Sequence, residues 1–146
     1  SVFFDYYQTG DASLRLDHGS RIEGIGRPRV EASFLPKVID AMVKVPDALS
    51  LAAMHYLAQR LGRRVGGSSG TNLIGALMAA QQMAAAGETG SIVAILCDGG
   101  ERYATTYYDE QWLAEQGYEL DALIDAVAAS VERGEALPAS VLRAGI

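Results

Sequence analysis

Between a helical repeat that closes at Gly62 and another that opens at Leu73, the chain runs Gly66-Gly67-Ser68-Ser69-Gly70-Thr71-Asn72. A stretch of such small residues has no side chains with which to build a core of its own, so it must be a connection laid between two packed elements. Upstream, Asp47 stands where a helix N-cap belongs. Leu49, Ala53, Leu57 and Leu61 follow at four-residue steps, and Gly62 supplies a left-handed C-terminal cap. Downstream, Leu73, Leu77, Ala80 and Ala84 mark the buried face of a second helix that ends at Gly87.

Ser91 to Cys97 is apolar without alternation, the pattern of a strand covered on both sides, and Met42-Val43-Lys44-Val45 is a shorter β-type run closed by Pro46. Two more helices fit Asp109–Gln116 and Asp121–Arg133, ended by Gly117 and Gly134. Residues 1–36 read as loops and short extended pieces. The order strand, helix, loop, helix, strand, helix predicts an α/β layer architecture: a mainly parallel sheet flanked by helices, with ligands off the carboxyl ends of its strands. A chain of 146 residues that is 49% apolar and 21% charged can build one such core. It begins at Ser1 with Val2-Phe3-Phe4, which is unlike a signal peptide and reads as a piece of something longer.

Charge and cysteine usage narrow the function classes. A net charge of −6 argues against nucleic-acid binding, and no apolar run approaches the roughly 20 residues a membrane span needs. One cysteine rules out an intrachain disulfide framework, no Cys/His cluster has zinc spacing, and a cytoplasmic setting is expected. Residues 1–73 carry 9 basic and 7 acidic groups and residues 74–146 carry 3 and 11, so an anion would go to the first half.

Gly66-Gly67-Ser68-Ser69-Gly70 matches the Gly-x-Ser-x-Gly nucleophile elbow in form, but that chemistry needs a histidine downstream. His18 and His55 are the only two and both lie upstream, where they read as structural or solvent-exposed residues. Read instead as a helix-opening turn, the same run presents backbone N–H groups and hydroxyls to an anion or a ring heteroatom. The plain alternative is a turn with a hydroxyl cap. Gly24-Ile25-Gly26 is not a dinucleotide fingerprint, because Arg29 stands at the third glycine position. Cys97 reads as a small buried filler, and Lys37 and Lys44, the only lysines, as surface charges. Asp98-Gly99-Gly100-Glu101-Arg102 follows the presumed central strand, where α/β proteins place ligands.

Three segments carry more together than apart. Arg21-Ile22-Glu23-Gly24-Ile25-Gly26 with Phe34-Leu35-Pro36, then Gly66-Gly67-Ser68-Ser69-Gly70, then Cys97-Asp98-Gly99-Gly100-Glu101-Arg102-Tyr103 resemble the C-terminal half of the cysteine synthase and cystathionine β-synthase family. These are pyridoxal-phosphate (PLP) enzymes of fold type II, and the resemblance covers residues 21–108. It implies that residues 1–120 are the C-terminal portion of the large domain and 121–146 its C-terminal helix and tail. The Schiff-base lysine, the substrate loop and the phosphate loop belong to the earlier part of such a chain, so no catalytic residue is expected here. By match to the family pattern, Ser68 hydrogen-bonds the cofactor's pyridine nitrogen, with Gly67 and Asp98 beside it, and Gly24 to Gly26 run close past ring and substrate.

A neutral hydroxyl at the pyridine nitrogen, unlike a carboxylate, does not hold that nitrogen protonated, which favours elimination over transamination. The implied reaction is β-replacement on O-acetyl- or O-phosphoserine with a sulfur donor. The runner-up is cysteine desulfhydrase, in which elimination ends in pyruvate, ammonia and sulfide. The alternative from another class is a non-catalytic α/β module. Two departures bear on substrate: the common Ser-Gly-Glu-Arg-Tyr ending appears as Gly99-Gly100-Glu101-Arg102-Tyr103, preceded by Asp98, and Arg27 and Arg29 follow Gly26 where many relatives are uncharged. Arg27, next to Ile25, is therefore a candidate for binding an anionic leaving group or co-substrate, against the alternative of an ion pair with Glu23 or Glu31. The family's homodimer is the expected assembly.

Overall fold

The computed structural model describes residues 1–17 and 19–143, and the expectation for His18 lies outside them. The chain divides into two units, Ser1–Lys44 and Val45–Ile146.

In the first unit, α1 (Val2–Thr9) stands where only loops are expected from sequence. The Ser1 hydroxyl caps it by accepting from the Phe3 N–H. Its aromatic face is what hides it from a search for aliphatic periodicity: Phe3 stacks on Phe34 with ring centroids 4.2 Å apart, and Tyr6 lies 6.0 Å from the same ring. A 3₁₀ turn at Pro36–Val38 follows, and Lys44 pairs with Asp5 at 3.0 Å.

The second unit is a stack of helices on α2 (Asp47–Leu61). Asp47 is the first helical residue and Pro46 the cap, one position earlier than predicted, while Gly62 is left-handed at φ 65° as expected. The helices α3 (Gly67–Ala85) and α5 (Asp121–Arg133) both pack against α2. The core joins Leu49, Ala53 and Tyr56 of α2 to Ile74 of α3, Val127 of α5, and Leu137. On α3 the buried face centres on Ile74, with Leu73, Leu77 and Met78 packed beside it, whereas Ala80 and Ala84 are exposed. Two short helices complete the unit, α4 (Glu110–Glu115), capped by Asp109, and α6 (Ala139–Arg143).

The mainly parallel sheet does not form. Among the described residues β pairing is limited to two isolated antiparallel bridges, Arg15 with Arg29 and Val65 with Gly99. Neither 91–97 nor 42–45 is a strand. A strand exists only against a neighbour's ladder, and no described segment of this chain supplies one to 91–97. Its apolar side chains accordingly stand in solvent, Val93 at 93% and Ile95 at 71% exposure.

Candidate functional site

The small-residue run is not a loop. Only Gly66 lies outside the helix, and Gly67 to Asn72 form the first turns of α3. Helix propensity argues against this start, but packing overrides it. Gly70 meets the α2 backbone so closely that a Cβ there would collide with the Ser50 carbonyl. Thr71 Oγ1 lies 2.8 Å from the buried Ser50 Oγ.

Ser68 is the second residue of α3, half-buried, and its hydroxyl has no hydrogen-bond partner among the described residues. Gly67 beside it is buried. Around this turn the segment 95–98 is tied down at three points. The Gly66 N–H donates to the Asp98 carbonyl at 3.0 Å, the Cys97 N–H to Ser69 Oγ at 2.9 Å, and Asn72 Nδ2 to the Ile95 carbonyl at 2.9 Å. The Asp98 carboxylate folds over the Gly66 Cα, where any side chain would run into it, and it accepts from the Tyr103 hydroxyl at 2.8 Å. Gly67, Ser68 and Asp98 are thus brought together. Cys97 is exposed rather than buried, with its sulfur 3.5 Å from Asn72 Nδ2.

On the opposite side of the turn, the Val65 N–H donates to the Tyr108 hydroxyl at 3.0 Å, and that hydroxyl donates to the Val65 carbonyl at 2.8 Å. His55 Nε2 lies 2.7 Å from the Tyr107 carbonyl, which gives this histidine a structural role. Burial raises the Tyr108 phenol above its ordinary pKa, partly offset by its bond to Val65 and by the Arg64 guanidinium over its ring. Ser69, Asn72 and Tyr103 fall within segments quoted from sequence but without these roles, and Tyr108 does not stand out from sequence. The only local signal is the density of tyrosines after Glu101.

In the first unit, Glu23, Gly24 and Ile25 form a turn, with the Ile25 N–H donating to the Ile22 carbonyl at 3.5 Å, and Gly26 and Arg27 follow it. Gly24 has φ 90°, and a Cβ on Gly26 would press on the Ser20 backbone nitrogen at 2.5 Å, so both positions require glycine. Arg27 Nε faces Glu31 at 3.8 Å with its side chain half exposed, which is the ion-pair alternative for this residue.

Known proteins share this chain's sequence over most of its length. A Mycobacterium tuberculosis protein named L-cysteine desulfhydrase is 51% identical over 119 residues, covering 82% of this chain and 32% of that protein. The chain belongs to the cysteine synthase and cystathionine β-synthase family. Cysteine synthase 1 of Emericella nidulans is 29% identical over 119 residues, 80% of this chain and 31% of its own length. Cystathionine β-synthase of Apis mellifera is 36% identical over 97 residues, 66% of this chain and 19% of its own. The chain thus spans about a third or less of the length of these family members. No family model matches the chain. Among the described residues no helix is long and apolar enough to cross a membrane.

Proposed function

We propose that this chain is the C-terminal part of a PLP-dependent enzyme that acts on the β-carbon of cysteine or an activated serine. The residues present fit the cofactor's ring. Ser68 offers an unpartnered, half-buried hydroxyl in the first turn of a 19-residue helix. The positive end of that helix disfavours a further positive charge, so a pyridine nitrogen there stays unprotonated and takes a hydrogen bond from the Ser68 hydroxyl. Bound there, PLP supplies the electron sink for bond breaking at the substrate's α- and β-carbons. Gly67 lies beside Ser68, and Asp98, folded over Gly66, borders the same seat. Gly24, Ile25 and Gly26 are the segment the reading assigns to the ring and substrate side, with Arg27 as the candidate anion contact.

Within that chemistry the favoured reaction is desulfhydration, in which cysteine and water give pyruvate, ammonia and hydrogen sulfide. The likeness that carries it is the 51% identity to a protein named L-cysteine desulfhydrase. Sulfide is a small leaving group and needs no guanidinium, which agrees with Arg27 being turned to Glu31. The second reading, β-replacement on acetylserine or phosphoserine with a sulfur donor, is favoured by the cysteine synthase relatives. Residues 1–120 then belong to the enzyme's large domain and 121–146 to its C-terminal helix and tail, in a cytoplasmic homodimer. The full-length enzyme should release sulfide and pyruvate from cysteine faster than it consumes sulfide with acetylserine or phosphoserine. The reverse ratio would return the assignment to β-replacement, and the absence of both activities would refute the reading.

A further inference from the structure

We infer that Tyr108 is a positioning residue for the Ser68 seat, acting through the backbone of Val65, and this rests on the reading of Ser68 as the partner of the pyridine nitrogen. Val65 is 1% exposed and directly precedes Gly66, the residue that caps α3. Its buried N–H and C=O must find partners, and one phenol oxygen serves both, at 3.0 and 2.8 Å. Gly100 closes on the same two atoms, for a Cβ there would press on the Val65 nitrogen and oxygen at 2.6 Å each. The residue is therefore gripped between a main chain and a hydroxyl, with the isolated bridge to Gly99 completing the hold. Tyr108 is itself held by the His55 ring, 5.0 Å away between centroids, and by the Arg64 guanidinium 5.1 Å over its face.

The hydroxyl, not the ring, carries this role. A phenylalanine keeps the packing against His55 and Arg64 but leaves both polar groups of Val65 without the partner they share. The turn from Val65 into α3 then gains freedom, and the Ser68 hydroxyl three residues on is no longer held at one position.

The test uses the full-length enzyme loaded with PLP, as Tyr108→Phe, Ser68→Ala and the double variant. Two signals are read: the absorbance and emission of the bound cofactor across pH, and amide hydrogen exchange in residues 64–70. Ser68→Ala is expected to shift the cofactor's spectrum. Tyr108→Phe should shift it in the same direction by a smaller amount, speed exchange at 64–70 by about tenfold, and add nothing in the double variant. A wild-type spectrum and wild-type exchange in Tyr108→Phe, beside a shifted Ser68→Ala, would overturn the role of Tyr108 alone. Additive shifts in the double variant would do the same. A silent Ser68→Ala would overturn the reading of Ser68 and the inference with it.

Discussion

Two glycines five residues apart on α3 should respond to the same substitution with opposite sign. Gly70 sits against α2, where an added methyl collides with the Ser50 carbonyl and lies 2.7 Å from the Met54 nitrogen and 3.0 Å from the Ser50 carbonyl carbon. These are main-chain atoms of a 15-residue helix and cannot swing aside, so the helices must part or slide. Overpacking of this kind costs about 3 kcal/mol at the upper end of its usual range. Replacing glycine by alanine inside a helix returns about 1 kcal/mol of backbone entropy and propensity. Gly70→Ala should therefore lose about 2 kcal/mol. Around Gly75 no atom beyond its chain neighbours and the helix's own nearby backbone lies within 4 Å of the point a Cβ would occupy, so Gly75→Ala should show only the propensity term and gain up to about 1 kcal/mol. The assay is urea unfolding of the full-length protein, read as opposite movements of the midpoint at unchanged slope. Midpoints that move together, or a Gly70→Ala as stable as wild type, would refute the close approach of α2 and α3 beneath the Ser68 turn.

Asp109→Ala removes the side chain that caps α4 by accepting from the Trp112 N–H at 2.7 Å. It should cost about 1 kcal/mol, seen as faster hydrogen exchange over 110–116. The aromatic contacts of Trp112 with Tyr107 and Tyr118 should loosen with it. A second expectation concerns alkaline pH. Burial raises the Tyr108 phenol above 10.0, so its protonated form is favoured by folding. That contribution is whole below pH 10 and is lost as pH climbs through the raised value. Burial raises the Tyr56 phenol as well, so a phenolate absorbance titration of wild type should show late tyrosines of which Tyr108→Phe lacks one. Loss of a normally titrating tyrosine instead would contradict the burial of this hydroxyl.

The parts of the fold that can be read from sequence are those decided locally. The helix α5 spans Asp121–Arg133 as predicted, because Gly134 at φ 69° closes it and its apolar spacing is regular. Gly62 closes α2 in the same way. The start of α3 reads wrongly as a loop because Gly67, Ser68, Ser69 and Gly70 are poor helix formers, and what holds them helical is the α2 backbone at Ser50 and Met54. Ser91–Cys97 reads wrongly as a strand for the complementary reason. An apolar run carries strand propensity, but pairing is a property of two segments, and no described segment of this chain pairs with it.

The same division runs through the site. Ser68 is singled out by the family resemblance, which lies in a run of adjacent residues, and what the structure adds is an unpartnered, half-buried hydroxyl in the first turn of α3. Its supports are not adjacent. Ser69 holds Cys97 across 28 positions, Asn72 holds Ile95 across 23, and Tyr108 holds Val65 across 43. No spacing rule covers such separations, because the turn of α3 and the segments around it meet only after α2 and α3 have packed. What the sequence does carry is the demand for such a support. A buried Val65 ahead of glycines that bring no side chains must have its N–H and C=O satisfied from elsewhere in the chain. Tyr108 meets that demand with the one kind of group able to donate and accept from a single atom. Replacing it with a residue that does only one of these should leave one arm of the grip open, and replacing it with one that does neither opens both, which makes Tyr108→Phe the sharper probe of the site than any change to Ser69 or Asn72.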